Sequence, residues 1–477
     1  MSVEETEVLV VGSGAGGSVT AATLAAAGRT VTVLEEGPWV DPDSVEPFSL
    51  QEMVLKYRHH GPSAALGAPP VAFAEGRCVG GSTEINSGLW HRLPPELAEE
   101  WRGTYAIEEF GPAVLDRYAE RVEEWQSVGR LPAAPPLSSA LLERGATKLG
   151  WRSTEFPRVF RFEGSADGAE GAGSRGVKQT MARTLIPRAI DAGARLVPDC
   201  RVVKLVRKGD RVTGARCRVG GEDRLIRAEH VVVCGGAIQT PALLQRSGFR
   251  RGIGGGLKLH PTIKIAARFP HPVDHRDVPM HRITEFAPNL TIGGSASRRG
   301  QVAQALAESG AEFGPALADW EHVFVYYAAI RSDAAGRVIA VPGAKAPIVT
   351  YRLTDADLSR LARGLVHLGE LLLAAGATEL YPSVVGGTVV RHPAQLVRWW
   401  DEVTSSRTNL MTVHLTSSIR MGERPDRSGA DSFGRVRGVR NLRVNDASLL
   451  PDAPGVNPQA AIMSIALRNA EHFLANA

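Results

Sequence analysis

The sequence predicts an α/β protein of α+β two-domain type: a Rossmann-like nucleotide-binding domain beside a second domain built on an antiparallel sheet covered by helices. Three observations carry this. An apolar run breaks into a glycine-rich turn over residues 7–17, a second apolar run does the same over residues 230–236, and residues 322–376 read as short strands followed by a leucine-striped helix.

Size and composition agree with a folded globular chain. Its 477 residues suit two or three domains at roughly 100 to 200 residues each. Hydrophobic residues make up 43% and charged residues 22%, far from the signature of disorder. With 55 Lys+Arg against 51 Asp+Glu, the net charge of +4 is too small for an electrostatic footprint, so nucleic acid is not an expected partner. Cys78, Cys200, Cys217 and Cys234 show no C-x-x-C spacing, which points to isolated buried thiols and to neither a metal site nor a disulfide framework. The acidic start lacks a signal-peptide pattern, and no apolar run approaches the roughly 18 to 20 residues of a membrane span; a cytoplasmic protein is expected.

In chain order, the apolar run from Glu7 reads as a buried parallel strand and stops at Gly12-Ser-Gly14-Ala15-Gly16-Gly17, a G-x-G-x-x-G pattern. Ser18 to Ala27 is helical by propensity, Gly28 stops it, and Thr30 to Leu34 is a second strand, which completes a βαβ unit. In such a unit Gly12 allows the tight turn, Gly14 lets backbone approach a pyrophosphate, and Gly17 lets helix close on strand. The positive end of the helix then faces the phosphates. Glu35, 23 residues after Gly12, stands where an acid would bond an adenosine ribose hydroxyl. NAD and FAD share this motif, so it does not choose between them.

A second glycine-rich loop runs from Gly76 through Arg77, Gly80, Gly81, Ser82 and Glu84 to Asn86; taken alone it fits any polar loop. Residues 230–248 read as another buried strand breaking at paired glycines into a helix whose N-terminus is set by Thr240 and Pro241. Near the C-terminus follow His414-Leu-Thr-Ser-Ser-Ile-Arg420-Met421-Gly422, then a strand ending at Asn445-Asp446-Ala447, then Gly455-Val-Asn457-Pro458-Gln459 and a helix from about Ala460 to Ala475.

These four segments, in this order and spacing, resemble the glucose-methanol-choline (GMC) family of FAD-dependent oxidoreductases, which includes cholesterol oxidase and bacterial alcohol and sugar oxidases. The resemblance covers about half the chain. It implies FAD as cofactor, with Gly12, Gly14, Ala15, Gly17 and Glu35 on its ADP half. It further implies Arg77, Gly80, Gly81, Ser82 and Asn86 along the pyrophosphate and flavin, and backbone of Val202 on the adenine. Asp446 and Ala447 would face the pyrophosphate and ribityl chain, and Asn457, Pro458 and Gln459 the flavin edge. Read without the family, Val202 is a core strand residue, and Asp446 is either a turn former or, as an Asp closing a strand at a sheet's carboxyl end, a residue placed where ligands of open α/β folds sit. No His lies at Thr83 to Ile85, where some sugar oxidases attach the flavin, so the FAD is expected to be non-covalent.

Family members pass hydride from a carbinol carbon to flavin N5 while a base takes the hydroxyl proton. His414 matches the family's His, whose neutral imidazole suits that task. Asn457, 43 residues on, matches its partner and would hold the substrate oxygen without adding a second titrating group. His59, His60, His271, His275 and His281 sit in polar, Pro-rich or Arg-rich stretches that look like solvated surface. Ser417 departs from the family's Gly and leaves the local backbone path open; Phe249-Arg250 reads as a surface change.

The nucleotide-binding domain is expected to be discontinuous, over 1–100, 177–260 and 411–477, with 101–176 and 261–410 forming the substrate domain and connecting segments. Residues 322–353 read as a three-stranded antiparallel meander. Asp355 is expected to cap a helix carrying Leu358, Leu361, Leu365, Leu368 and Leu372 inward and stopping at Gly376. Residues 130–176, rich in Pro, Gly, Ala and Ser, read as an excursion with little regular structure. The expected partners are a small-molecule alcohol and an electron acceptor, oxygen or another. Trp399-Trp400-Asp401-Glu402 and Glu84 suggest a polyol, sugar or aminosugar, stacked on an aromatic plane and paired with carboxylates. The bland alternative is that Asp401 and Glu402 are solvated helix residues and Glu84 bonds its own loop. A sterol or long-chain alcohol, or a hydroxynitrile-lyase-type reaction without net redox, are the alternatives for the activity.

Overall fold

Val8, Leu9, Val10 and Val11 are buried on both faces because strand Val3–Val11 lies in the middle of a seven-stranded sheet. It pairs in parallel with Val31–Leu34 on one side and with Glu222–Val233 on the other, and Val31–Leu34 pairs in parallel with Arg195–Val197. A strand covered on both faces needs a continuous apolar run, which is what the sequence carries there. The computed structural model describes residues 3–162, 176–275, 278–310 and 313–476, so residues 163–175 of the Pro/Gly-rich stretch lie outside the described residues.

Strand Glu222–Val233 serves two partners along one edge. Its first half pairs antiparallel with Arg211–Val219, itself paired with Cys200–Lys208; its second half pairs in parallel with Leu442–Val444. The sheet is therefore parallel where its strands end in glycine turns and antiparallel at its far corner. Helix Ala15–Ala26 closes with backbone bonds from Gly28 to Ala25 and from Arg29 to Leu24, the pairing that terminates a helix through a left-handed glycine. The buried amide of Asn445 locks this helix to the C-terminal helix Gln459–Asn476. Its Nδ2 donates to Thr20 Oγ1 at 2.8 Å and to the Ala466 carbonyl at 3.0 Å, while its Oδ1 accepts from Asn469 Nδ2 at 3.0 Å.

A nine-stranded sheet forms the other half. Thr262–Arg268 and Val323–Ile330 pair at its centre, with Leu290–Gly294 and His281–Ile283 to one side and Leu410–Thr412 and Val71–Phe73 to the other. Alternation divides its two faces. Ile263, Ile265, Phe324, Tyr326 and Ala328 point into a core shared with helices Leu137–Leu149 and Asp355–Ala375, whose Leu361, Leu365, Leu368 and Leu372 are fully buried. The intervening residues Thr262, Lys264, Val325, Tyr327 and Ala329 line a cavity.

Several expectations need correction. The meander is split: Gly336–Ile339 pairs with Ile348–Thr350, but Val323–Ile330 belongs to the nine-stranded sheet. The long helix is capped by Thr354, whose side chain accepts from Asp357 N while Asp357 returns a bond to Thr354 N, so Asp355 is already helical. The helix after the paired glycines begins at Gly236, four residues before Thr240; Pro241 sits inside it. Within residues 130–176 the leucines of Leu137–Leu149 form a helix that the preceding prolines obscured. Phe249 is core rather than surface, as is His281, whose Nδ1 meets Ser139 Oγ at 2.7 Å. Cys200 and Cys217 are buried but not isolated, since they neighbour one another across adjacent strands.

Asn445 leads to a first test. Asn445→Ala removes three buried hydrogen bonds between the two helices and leaves Asn469 Nδ2 unmet in the interior, and an unmet buried polar group costs about 1 to 3 kcal/mol. Urea denaturation is expected to show a loss of roughly 2 to 4 kcal/mol; a change within 0.5 kcal/mol of zero, the ordinary range of a surface substitution, would remove Asn445 from its place as the lock between the two helices.

Candidate active site

The glycine turns at the ends of the parallel strands and the polar face of the nine-stranded sheet enclose one cavity of about 530 Å³. At its nucleotide end, Gly14 opens directly into space: a Cβ built there meets nothing within 4 Å. Ser18 N makes the first bond of the helix, to the Gly14 carbonyl, so the N–H groups of Ala15, Gly16 and Gly17 precede it. An open backbone ahead of a helix N-terminus is a cradle for a pyrophosphate, and the site fits FAD in this respect.

Three chain segments meet at Ser13. Its N and Oγ donate to Glu35 Oε2 at 3.0 and 2.8 Å, and its Oγ accepts from Gly80 N at 3.0 Å. Gly37 N donates to the other carboxylate oxygen, so Glu35 is held by three bonds, while burial pushes its pKa up against them. Glu35 and Val202 line the cavity, as do Gly12, Gly81, Ser82 and Asn86. Arg77, Gly80 and Gly17 do not. Arg77 reaches back to Glu36, with Nε at 3.6 Å from its carboxylate; Gly80 positions its loop through Ser13; Gly17 packs on the Gly12 carbonyl. Arg58 and Arg201 also pair with Glu36 and hold its carboxyl below the usual range against burial.

Asp446 ties the C-terminal strand to the second glycine turn. Its Oδ2 accepts from Gly236 N at 2.8 Å and Thr240 Oγ1 at 2.5 Å, and its Oδ1 from Ser448 N and Oγ at 2.8 and 2.5 Å. Burial raises its pKa despite these donors. The side chain thus shapes both turns, and Ala447, beside it, also lines the cavity. Asn86 Nδ2 donates to Gln459 Oε1 at 2.7 Å, joining the second glycine loop to the start of the C-terminal helix, where Asn457, Pro458 and Gln459 line the cavity. The Asn457 amide makes no side-chain hydrogen bond to the described residues.

His414 lines the cavity with a partner that the sequence reading missed. The antiparallel pairs Lys258↔Thr416 and Leu259↔Leu415 bring the next residues, His260 and His414, opposite each other. Their Nδ1 atoms lie 2.9 Å apart with the rings at 87°. His260 Nε2 accepts from Gly455 N at 3.0 Å, so the hydrogen of its neutral ring is on Nδ1 and is donated to His414 Nδ1. His414 consequently carries its own hydrogen on Nε2. Burial pushes both pKa values down, that of His260 to about 4; for His414 the neighbouring His260 and Arg282 add to the effect. Ser417, where a glycine was expected, keeps the left-handed path at φ +73° and is fully buried. Such a backbone costs a non-glycine residue of order 1 to 3 kcal/mol, and Ser417 N holds the path by donating to the Ala447 carbonyl.

The residues that suggested an aminosugar lie elsewhere. Trp399 is buried in the core with its Nε1 on the Thr388 carbonyl, Glu402 bonds Thr388, and Glu84 neighbours Lys56 at 3.9 Å; none lines the cavity. Among the described residues no cluster of His, Cys, Asp or Glu could hold a metal ion, and no helix is long and apolar enough to cross a membrane.

Residues 6–262 and 334–466 match the N-terminal and C-terminal family models described as GMC oxidoreductase. The chain is 40% identical over 480 residues to the uncharacterized GMC-type oxidoreductase y4nJ of Sinorhizobium fredii, covering 99% of this chain and 95% of that one. It is 27% identical to the long-chain-alcohol oxidase FAO1 of Arabidopsis thaliana, over 97% of this chain and 66% of that one. The crystal structure of pyridoxine 4-oxidase from Mesorbium loti shares the fold, with a TM-score of 0.77, 20% identity, and coverage of 99% and 100%. With two family models spanning most of its length and a near full-length relative at 40% identity, the chain belongs to the GMC oxidoreductases, a family of FAD-binding flavoenzymes.

Proposed function

We propose that the protein oxidises a polar alcohol to a carbonyl compound, with the hydroxyl held between His414 and Asn457. One observation carries this reading. His414 Nε2 and the Asn457 amide make no hydrogen bond to the described residues, and both residues line the same cavity as the glycine cradle. FAD, when bound, supplies the hydride acceptor; it is expected to be dissociable, because the loop Thr83 to Ile85 has no histidine to attach it. The four free, buried thiols accord with work in a reducing cytoplasm.

The chain's own task is the proton. To accept it, His414 must offer a bare Nε2, which requires its hydrogen on Nδ1. His260 must then accept at Nδ1 and carry its hydrogen on Nε2, against Gly455 N–H. The base form therefore sacrifices one buried hydrogen bond, roughly 1 to 3 kcal/mol, and the histidine pair exchanges tautomers as the substrate binds. Asn457 Nδ2 donates to the substrate oxygen and keeps it on His414 while the proton leaves.

A polar substrate is favoured by Thr262, Thr291, Gln301, Gln304 and Tyr327 in the cavity lining. The similarity to a long-chain-alcohol oxidase, together with Phe48, Met53, Leu89 and Val278 in the lining, supports a long-chain alcohol as the second reading. Anaerobic addition of substrate is expected to bleach the flavin, and a screen of polyols against long-chain alcohols and sterols separates the two readings; product formation under a spectrum that stays oxidised would mean a lyase. Initial rates in oxygen against a quinone identify the acceptor.

His414→Ala is expected to retain FAD and to lower the rate of flavin reduction by about 10² to 10⁴. Near-normal reduction in that variant would place the proton acceptor elsewhere. Because burial keeps the His414 imidazole neutral well below the ordinary value of 6.5, kcat/KM is expected to stay level as pH falls through 6.5, where an ordinary histidine base would begin to be lost. Nitrogen chemical shifts of the resting enzyme should report the His414 hydrogen on Nε2; a hydrogen on Nδ1 would reverse the donor order in the pair.

A further inference from the structure

Arg282 is a buried guanidinium in the cavity wall that no carboxylate among the described residues answers. It is 2% exposed, among the largest fully buried side chains, and it lines the cavity. Its Nη1 donates to the carbonyls of Pro279 and His281, both at 3.2 Å. Nε is sealed from solvent without a partner, Nη2 makes no hydrogen bond to the described residues, and no carboxylate among them forms an ion pair with it.

The sheet is built around this side chain. Pairing of Ile283 with Ile292 sets Arg282 opposite Gly293, and Gly293 pairs with Tyr327, which pairs with Lys264. The guanidinium crosses the face of Gly293: a Cβ there would come within 2.4 Å of Nη1 and 2.7 Å of Cζ. It then reaches the Tyr327 ring, at 5.3 Å from its centroid. Lys264, at the far end of the row, is neutralised by Glu308 at 2.8 Å; Arg282 has no such counter-charge among the described residues. Buried guanidinium groups are costly unless an anion meets them, and Nη2, neither sealed nor bonded, can donate a charge-assisted hydrogen bond to a carboxylate.

The row lies close to the chemistry. Thr291, two residues before Gly293, donates to the Gly455 carbonyl, and Gly455 N bonds His260. The charge of Arg282 also reaches His414, where it disfavours the imidazolium.

We propose that the substrate is an alcohol carrying a carboxylate, and that Arg282, lying over Gly293 in the cavity wall, binds that carboxylate while the hydroxyl meets His414 and Asn457. The inference rests on the alcohol-oxidation reading and narrows its substrate class. In the reaction the carbinol carbon gives a hydride to the flavin and the hydroxyl gives its proton to His414; Arg282 gains and loses nothing, and the carboxylate stays bound throughout. An ammonium-bearing substrate is disfavoured by the same charge.

Binding without turnover tests this apart from the chemistry. FAD-loaded enzyme is titrated with benzoate and acetate, and in parallel with benzamide and acetamide, following the flavin absorbance change. The carboxylates are expected to bind about tenfold or more tightly than their amides, the ordinary worth of a charge-assisted bond. That preference should vanish in Arg282→Met and persist in part in Arg282→Lys. Amides that bind as well as carboxylates, or an Arg282→Met enzyme with undiminished preference, would overturn the assignment even if alcohols reduce the flavin. Should Arg282→Met fail to retain FAD, the wild-type ratio and Arg282→Lys decide. The kinetic counterpart compares 4-(hydroxymethyl)benzoate with benzyl alcohol: faster reduction by the acid is expected, equal or faster reduction by the neutral alcohol counts against the proposal, and reduction by neither defeats the oxidation reading for benzylic substrates without altering the binding result.

Discussion

Backbone touches backbone at Gly12 and Gly16, and the nucleotide side of the cavity depends on that contact. A Cβ at Gly12 would come within 2.4 Å of the Cys234 carbonyl, and one at Gly16 within 1.9 Å of the Asn445 carbonyl. Three turns distant in sequence, after Val11, after Val233 and after Val444, are thereby stacked at the ends of adjacent parallel strands. Ligands of open α/β sheets sit at those strand ends. Asp446 then bonds Gly236, and Ser13 bonds Gly80, so each turn is fixed by the next. No single loop forms the cradle; close packing without side chains does.

The opposite wall follows from a different regularity. Alternation along Thr262–Arg268 and Val323–Ile330 sends one set of residues into the leucine-lined core and the other into the cavity. The helix Asp355–Ala375 therefore matters to the site although it does not line it: by burying Ile263, Ile265 and Tyr326 it fixes the register that presents Thr262, Lys264 and Tyr327 on the other face. Register also makes the histidine pair, since Leu259 opposite Leu415 leaves His260 no place but against His414.

What the sequence made legible was local. The glycine turns, Glu35 at the end of its strand, and Asp446 at the end of another depend on neighbours a few residues away, and the family pattern named His414 and Asn457. His260 and Arg282 were missed because their positions depend on pairing between strands separated by roughly 10 to 150 residues, which no local pattern records. The nearest available signal was Gly293-Gly294 within a strand, a mark of close approach by another group. Trp399 to Glu402 misled for the complementary reason: an aromatic and acidic cluster reads the same in a core corner as in a sugar site, and only the packing of Trp399 against Gly369 tells them apart. The meander failed because turn signals mark where strands end and say nothing about which sheet receives them.

The buried charges of the cavity obey one rule with three outcomes. Glu36 keeps its charge because Arg58, Arg77 and Arg201 surround it. His260 and His414, without an acidic partner, meet the same burial by giving up the proton, which an imidazole does at little cost and which leaves a neutral ring able to receive one. Arg282 can do neither, for a guanidinium does not deprotonate in proteins and no carboxylate among the described residues pairs with it. Two backbone carbonyls answer part of its need and the Tyr327 ring another part. The remainder is an electrostatic demand in the cavity wall that an anionic group on a ligand would meet.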